Sequence, residues 1–280
     1  MIKLNTELEG IKAVFMDLDG TLYLGGNLIE GVNDFLDRLD KKGIKKFYLS
    51  NNSSRSKKEY LEKLTNFGID AKISEILLST DDLLEWLTSN NYSDVYTIGT
   101  NSMCEMLEER GINTYSENPQ MVVLGYDTEI NYEKLSQASI YLHKGIPLVA
   151  SHPDTVCPSP EGGLPDVGAY LSLLEATTNV KPVHICGKPN PGMLNHKISE
   201  LGLMPNQVAM IGDRLYTDIE MANRVGCLSV LVLSGEATKD DANNAPQKID
   251  VMVDSVSSLI LGLSLIHISE PTRLLSISYA

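Results

Sequence analysis

The chain has 280 residues, of which 42% are hydrophobic and 21% are charged, and its formal net charge is −14. This length predicts one large domain or two ordinary ones, and the apolar content excludes a mainly disordered chain. The acidic excess argues against a nucleic-acid partner, and no secretory signal or apolar run near the roughly 20 residues that span a bilayer is present, so we expect a cytoplasmic protein without a membrane partner.

Apolar runs of strand length alternate with segments of helical period along the chain. The first run, residues 11–16, precedes a helix pattern that starts at Val32, and a second helix is predicted over residues 57–67. Further strand candidates are residues 46–49, 95–98, 121–124, 148–150, 183–186, 208–211 and 229–233. This alternation predicts an α/β fold with a parallel sheet, whose ligands bind at the carboxyl ends of the strands.

Polar residues follow several of these predicted strands. Asp17 and Asp19 stand two positions apart directly after the strand at residues 11–16, in the sequence Asp-Leu-Asp-Gly-Thr. Taken alone, this segment is typical of a turn, because Asp-Gly between apolar runs favours one. The ends of other predicted strands carry Ser50 with Asn51, Lys188, and Asp213 with Asp218.

We expect these strand ends to share one crevice, as they do in open α/β sheets. Several ionised carboxylates cannot share a crevice without a cation, because like charges raise each other's pKa. The candidate ligands are oxygens, with no nearby His or Cys, and this donor set favours Mg²⁺. The four cysteines are scattered without a C-x-x-C pair, so a zinc site is not predicted.

These segments, in this order, resemble the four motifs of the haloacid dehalogenase superfamily. The segment from Asp17 to Thr21 resembles the first motif and Ser50 the second. Lys188 resembles the third motif, and Asp213 with Asp218 resembles the fourth. The long insertion between the second and third motifs resembles that of the NagD-like, or p-nitrophenyl phosphatase-like, group, in which a large α/β cap is inserted at this place.

The resemblance implies a domain organisation. We expect a Rossmann-like parallel-sheet core from residues 1–80 and 183–262, and an inserted α/β cap domain from residues 81–182. Relatives often associate through the cap, which implies a homo-oligomer here. Residues 263–273 (LSLIHISEPTR) resemble the translation of a transposase sequencing adapter. We therefore expect residues 263–280 to be non-native or disordered, and their removal to leave activity and melting temperature nearly unchanged.

The resemblance also implies a Mg²⁺-dependent phosphatase acting on a small phosphorylated metabolite. Asp17 is expected to form an aspartyl phosphate, and Asp19 to act first as an acid and then as a base. The expected Mg²⁺ ligands are the side chains of Asp17 and Asp213 and the backbone carbonyl of Asp19, with Asp218 behind them. The residues expected to bind the phosphoryl group are Ser50, Asn51 and Lys188.

Other classes of protein share parts of this pattern. A receiver-type signalling switch also uses an acceptor Asp, but it lacks a second Asp two positions on, so Asp19 argues against it. A dehalogenase on the same scaffold needs neither Mg²⁺ nor Asp19. A nucleotide-binding module without catalysis is disfavoured because no Gly-rich phosphate loop is present. A phosphotransferase or mutase remains open as an alternative.

The Pro- and Gly-rich loop of residues 151–168 is long, and long ordered loops are more often functional than accidental. We expect His152 and Asp154 in this loop to contact the leaving group, although a rigid turn would also explain the sequence His-Pro-Asp. Their substitution by Ala should then change the relative kcat/KM among substrates. Sugar phosphates, phosphoglycolate, pyridoxal 5′-phosphate, nucleoside monophosphates and glycerol phosphate are the candidates that the resemblance offers.

Overall fold

Most strands and helices of the chain alternate, as the sequence pattern predicts, except for two short pairs of strands within residues 23–28 and 156–165. The computed structural model describes Leu8 and residues 10–159 and 161–259. The strands are β1 (Ala13–Asp17), β2 (Tyr23–Leu24), β3 (Asn27–Leu28), β4 (Lys45–Ser50), β5 (Ile76–Leu78), β6 (Val95–Ile98), β7 (Met121–Leu124), β8 (Leu148–Ala150), β9 (Val156–Cys157), β10 (Leu164–Pro165), β11 (His184–Ile185), β12 (Val208–Gly212), β13 (Leu228–Val232) and β14 (Val251–Val253).

Helices connect most of these strands. The α-helices are α1 (Val32–Lys41), α2 (Lys57–Asn66), α3 (Ser79–Ser89), α4 (Asn101–Glu108), α5 (Tyr132–His143), α6 (Val167–Thr178), α7 (Gly192–Glu200), α8 (Glu220–Val225) and α9 (Lys239–Asn244). A π-helical turn over Leu215–Ile219 leads into α8. Within the described residues, every helix is too short or too polar to cross a membrane.

Two parallel sheets organise the molecule. The first has six strands in the order β14-β13-β12-β1-β4-β5, and we call it the core sheet. The second has four strands in the order β11-β8-β7-β6, and we call it the second sheet. Every neighbouring pair in both sheets is parallel. The α/β class with a parallel-sheet core is therefore confirmed.

Both faces of the core sheet are covered by apolar groups. In β1, Val14 and Met16 belong to one hydrophobic cluster, and Ala13 and Phe15 belong to another on the opposite face. All four side chains are fully buried. This continuous burial is typical of a parallel strand between two helical layers, because both faces exclude water. It explains why the sequence of β1 is uniformly apolar until its last residue.

Helix α2 begins at a defined position near the ends of the core strands. The Ser56 hydroxyl accepts a hydrogen bond from the Glu59 N–H at 3.3 Å, and the Glu59 carboxylate accepts one from the Ser56 N–H at 2.7 Å. This reciprocal cap gives a hydrogen-bond acceptor to two backbone N–H groups at the start of the helix. The cap fixes the segment that follows Ser50, and the Tyr60 hydroxyl of α2 contacts the Ser50 hydroxyl at the end of β4.

The structure places one predicted core strand elsewhere. β11 pairs with β8 in the second sheet, through His184 opposite Val149 and Ile185 opposite Ala150, although the expected core begins again at residue 183. α3 also runs across the expected boundary at residue 81. The domain limits themselves stay a prediction, and the expected non-native tail at residues 263–280 lies outside the described residues.

Candidate active site

The site is built where the carboxyl ends of the two sheets meet. Asp17 and Ser50 are the last residues of β1 and β4, and Asp213 directly follows β12 in the core sheet. Lys188 comes from the loop after β11, which leaves the second sheet. Its ammonium group forms ion pairs with Asp17 and, at 2.7 Å, with Asp218. The residues of the four predicted motifs are thus brought to one place.

Three carboxylates form a compact acidic cluster under this lysine. Asp17, Asp213 and Asp218 each offer an oxygen, and these atoms all lie within 4.8 Å of one another. Asp213 accepts a hydrogen bond from the Glu236 N–H at 2.8 Å through Oδ2, whereas its buried Oδ1 has no partner. An unpartnered buried carboxylate oxygen is costly, and oxygen donors of this kind suit a hard dication. The cluster therefore fits a magnesium ion.

The pKa values of these carboxyl groups also indicate that the cluster has too little positive charge around it. Burial raises the pKa of Asp17 to about 8; the Lys188 ammonium opposes this shift, and the Asp218 and Asp213 carboxylates reinforce it. Burial and then Asp218 raise the pKa of Asp213 to about 6. One lysine therefore compensates only part of the negative charge of the cluster, and a bound cation would reverse both shifts.

A cavity of about 240 Å³ opens above the cluster. The predicted site residues that line this cavity are Asp17, Asp19, Ser50, Asn51, Asp154 and Lys188. Asp19 is exposed, so its carboxyl group is accessible to water. Asp213 and Asp218 are 2% and 0% exposed and are not among the lining residues. The arrangement thus has reactive groups on the wall of the cavity and buried charges behind them.

Ser50 and Asn51 have different surroundings although they are neighbours. The Ser50 hydroxyl shares a hydrogen bond with the Tyr60 hydroxyl at 2.9 Å and accepts one from the Asn52 N–H at 3.2 Å. The carboxamide of Asn51 instead contacts the backbone of Lys188, at 2.7 and 2.9 Å. Ser50 therefore keeps a hydroxyl at the cavity, whereas Asn51 connects two loops.

The structure separates the two residues predicted to read the leaving group. Asp154 lines the cavity, but His152 does not, and only 1% of its side chain is exposed. His152 lies between two carboxylates, with Nδ1 3.7 Å from Asp154 and Nε2 3.6 Å from Asp166, and neither nitrogen has a hydrogen bond. Burial lowers its pKa to about 4. His152 is therefore a neutral, buried residue at the start of the loop.

Sequence reasoning missed several residues of the cavity wall. Arg55 and Lys63 line it from the core side, and Asp166 also contributes. The Lys63 ammonium lies 4.1 Å from the centre of the Tyr23 ring and donates to its hydroxyl at 2.9 Å. Such charged residues gave no sequence signal, because charged groups in and beside helices are usually solvated. Knowing that Asp19 and Lys188 belong to the site would not have shown which other charged residues line the cavity.

Comparison with protein families gives two matches along the chain. A model described as haloacid dehalogenase-like hydrolase matches residues 14–113, and a HAD-hydrolase-like model matches residues 185–259. The first match contains Asp17, Asp19 and Ser50, and the second contains Lys188 and Asp213. The matched segments therefore contain the residues that the structure gathers around the cavity.

Individual proteins match over most of the chain. An acid sugar phosphatase of Staphylococcus aureus is 35% identical over 239 residues, which cover 85% of this chain and 92% of that protein. The crystal structure of 4-nitrophenylphosphatase from Thermotoga maritima is 36% identical with a TM-score of 0.86, covering 89% of this chain and 96% of that one. Glycerol phosphate phosphatase from Mycobacterium tuberculosis in complex with magnesium is 26% identical with a TM-score of 0.83, covering 89% and 77%.

Proposed function

The chain belongs to the haloacid dehalogenase-like hydrolases, in their NagD-like group, and on that premise we propose that it is a Mg²⁺-dependent phosphatase of small phosphomonoesters. The observation that carries the proposal is the contact of Lys188 with Asp17 and Asp218 at the floor of the cavity. This contact holds a carboxylate nucleophile beside a fixed positive charge. That combination suits transfer of a dianionic phosphoryl group.

The proposed reaction proceeds in two steps at Asp17. Its carboxylate oxygen attacks phosphorus, the ester P–O bond breaks, and the electron pair remains on the leaving oxygen, which Asp19 protonates. Water then attacks the phosphorus of the aspartyl phosphate while Asp19 takes its proton. The second P–O bond breaks, so that Asp17 is regenerated and inorganic phosphate is released.

The neighbouring groups stabilise charge during both steps. Lys188 neutralises the nucleophile and the transferring group, and the Ser50 hydroxyl donates to a phosphoryl oxygen. Asp17 and Asp213, with the backbone carbonyl of Asp19, are the proposed ligands of a bound Mg²⁺, and Asp218 orients Lys188 and the metal site. A bound Mg²⁺ supplies positive charge that holds the phosphate and offsets the carboxylates.

The substrate class follows from the size and polarity of the cavity. A volume of about 240 Å³ suits a small metabolite, and charged groups of both signs line it. Acid sugar phosphatase and glycerol phosphate phosphatase among the similar proteins support sugar and polyol phosphates as the first candidates. A phosphotransferase or mutase on the same scaffold is the alternative. A cytoplasmic location and a homo-oligomer formed through the cap stay predictions.

A phosphate-release assay tests the proposal. Glycerol phosphate, a sugar phosphate, phosphoglycolate, a nucleoside monophosphate, pyridoxal 5′-phosphate and p-nitrophenyl phosphate are each incubated with Mg²⁺, with excess chelator, and with Ca²⁺. We expect release with Mg²⁺, none with chelator, and inhibition by Ca²⁺, whose looser coordination misplaces the attack. Equal rates in chelator would contradict the metal requirement, and transfer of phosphate to a second metabolite without net release would favour the transferase.

A further inference from the structure

Asn51 is bonded to both polar groups of the Lys188 backbone. Its Oδ1 accepts from the Lys188 N–H at 2.7 Å, and its Nδ2 donates to the Lys188 carbonyl at 2.9 Å. Nδ2 also lies 3.1 and 3.2 Å from the two carboxylate oxygens of Asp154. A carboxamide has two N–H donors, and these contacts use both. The side chain of Asn51 therefore has no N–H left for a phosphoryl oxygen.

The close approach of these segments depends on Gly187. Its φ of +69° lies in the left-handed region, and a Cβ there would come within 2.8 Å of Asn51 Oδ1 and 2.9 Å of His152 Cβ. The Gly187 N–H also donates to Asp82 in α3 at 2.9 Å. Glycine is required at this position for both conformation and space. The backbone that carries Lys188 is thus held from two sides.

Asp154 attaches the loop after β8 to this arrangement. Only 13% of its side chain is exposed, although the residue lines the cavity. Both carboxylate oxygens accept from Asn51 Nδ2, and Oδ2 also lies 3.7 Å from His152 Nδ1. A carboxylate so enclosed presents little surface to a leaving group. Its contacts lead from the second sheet, through Asn51, to the backbone of Lys188.

We propose that Asn51 and Asp154 are positioning residues, which fix the backbone of Lys188 and thereby aim its ammonium group at Asp17. This differs from the expectation that both residues contact substrate. Loss of the Asp154 contact should shift the Lys188 ammonium group slightly relative to Asp17. Small displacements of a charge-stabilising group reduce turnover for every substrate alike. The kinetic part of the inference rests on the proposed phosphatase function.

The kinetic test compares Asp154→Ala with Asp154→Asn, whose Oδ1 can still accept from Asn51. Glu161→Ala is the matched control, because Glu161 is an exposed carboxylate of the same loop and does not line the cavity. The assays use p-nitrophenyl phosphate and glycerol phosphate with saturating Mg²⁺. We expect Asp154→Ala to lower kcat about tenfold on both substrates with little change in KM, as for a misaligned group. Asp154→Asn should restore most of kcat.

Hydrogen–deuterium exchange gives a readout that needs no enzymatic activity. The Lys188 N–H is bonded to Asn51, so it exchanges slowly when this contact is intact. Peptides that cover residues 184–190 should exchange faster in Asp154→Ala than in the unmodified protein, in Asp154→Asn and in Glu161→Ala. Circular dichroism and the melting temperature establish that each variant is folded.

The outcomes separate the inference from the proposed function. If no phosphomonoester is hydrolysed, the phosphatase proposal fails, whereas faster exchange in residues 184–190 would still support the positioning role. A change of more than threefold in the ratio of kcat/KM between the two substrates would overturn the inference in favour of leaving-group recognition. Unchanged exchange in Asp154→Ala, or equal damage by Asp154→Asn, would also overturn it.

Discussion

The two sheets carry different kinds of polar groups at their carboxyl ends. The core sheet ends in groups that can react or bind a metal ion, including Asp17 and Asp213. The second sheet ends in groups that contact the loop after β4: the Thr100 hydroxyl donates to the Ser54 carbonyl at 2.8 Å, and the Ser151 hydroxyl lies 3.0 Å from that of Ser53. The groups that can react therefore come mainly from the core sheet and the groups that position them mainly from the second sheet, whereas the positioning residue Asn51 follows β4 and the charged Lys188 follows β11.

The largest effect is expected when Asp17, the reactive group of the core sheet, is replaced. Asp17→Asn should lower kcat by more than about 10³-fold, because an amide is a poor nucleophile and a weaker metal ligand. Asp37→Asn, on the exposed face of α1, is the matched control. Steady-state phosphate release measures the effect. A variant that kept more than about a tenth of the activity would show that Asp17 is not the nucleophile.

Removing the ammonium group of Lys188 should have the next largest effect. Lys188→Gln leaves Asp17 and Asp218 without their buried cation, so kcat should fall by about 10²-fold. In chelator, the free energy of unfolding should fall by about 3 kcal/mol, and Mg²⁺ should recover part of this loss. Urea unfolding with and without Mg²⁺ measures both. Unchanged stability in chelator would mean that the ion pairs contribute little.

The pH dependence of unfolding tests the role of His152, the buried histidine that follows β8 of the second sheet. The pKa of His152 is lowered from 6.5 to about 4 when the chain folds, so protons favour the unfolded state. Its contribution to stability is complete above pH 6.5 and is lost as the pH falls from 6.5 to 4, by about 3 kcal/mol in all. Burial raises the pKa of Asp166 to about 7, and this group changes stability with the opposite sign in the same range. Relative to the unmodified protein, His152→Gln should therefore gain free energy of unfolding as the pH falls through this range. His143→Gln, in which an exposed histidine is replaced, should not.

The smallest effect is expected at the edge of the cavity. Arg55 is exposed and lines the cavity from the core side, where its charge attracts a dianionic substrate. Arg55→Gln should raise KM by roughly threefold and leave kcat nearly unchanged, because exposed charges interact weakly. Lys58→Gln removes an exposed charge outside the cavity and serves as the control. A fall in kcat without a change in KM would assign Arg55 to the chemical step instead.

Much of the fold could be predicted from periodicity. β6, β7 and β8 have the predicted bounds, since short apolar runs flanked by turn residues are typical of buried parallel strands. The edge strands β5 and β14 were not predicted; β5 runs directly into α3, so no turn residue marks its end. Two-residue strands such as β11 have no period, so its pairing with the second sheet could not be read from the sequence.

The part of the site that could be predicted is the part that residue types at strand ends indicate. Asp17, Asp19 and Lys188 were identified because carboxylates and a lysine at strand ends have few other uses together. The environment of His152 was not, because the direction of a loop side chain depends on packing. Arg55 gave no signal either, since one arginine in a polar loop is usually a solvated group. Sequence patterns thus predicted which charged groups at strand ends share the cavity better than they predicted the residues packed around those groups.

In the proposed mechanism, Asp17 carries the phosphoryl group during the reaction. Asp19→Asn should slow the attack of water, so the aspartyl phosphate should accumulate when this variant is mixed with p-nitrophenyl phosphate and Mg²⁺ and quenched in acid. Mass spectrometry of the peptide that contains Asp17 is expected to show the added mass of one phosphoryl group, which is absent in a variant that also carries Asp17→Asn. Turnover by Asp19→Asn without any labelled peptide, or label on another residue, would contradict the account.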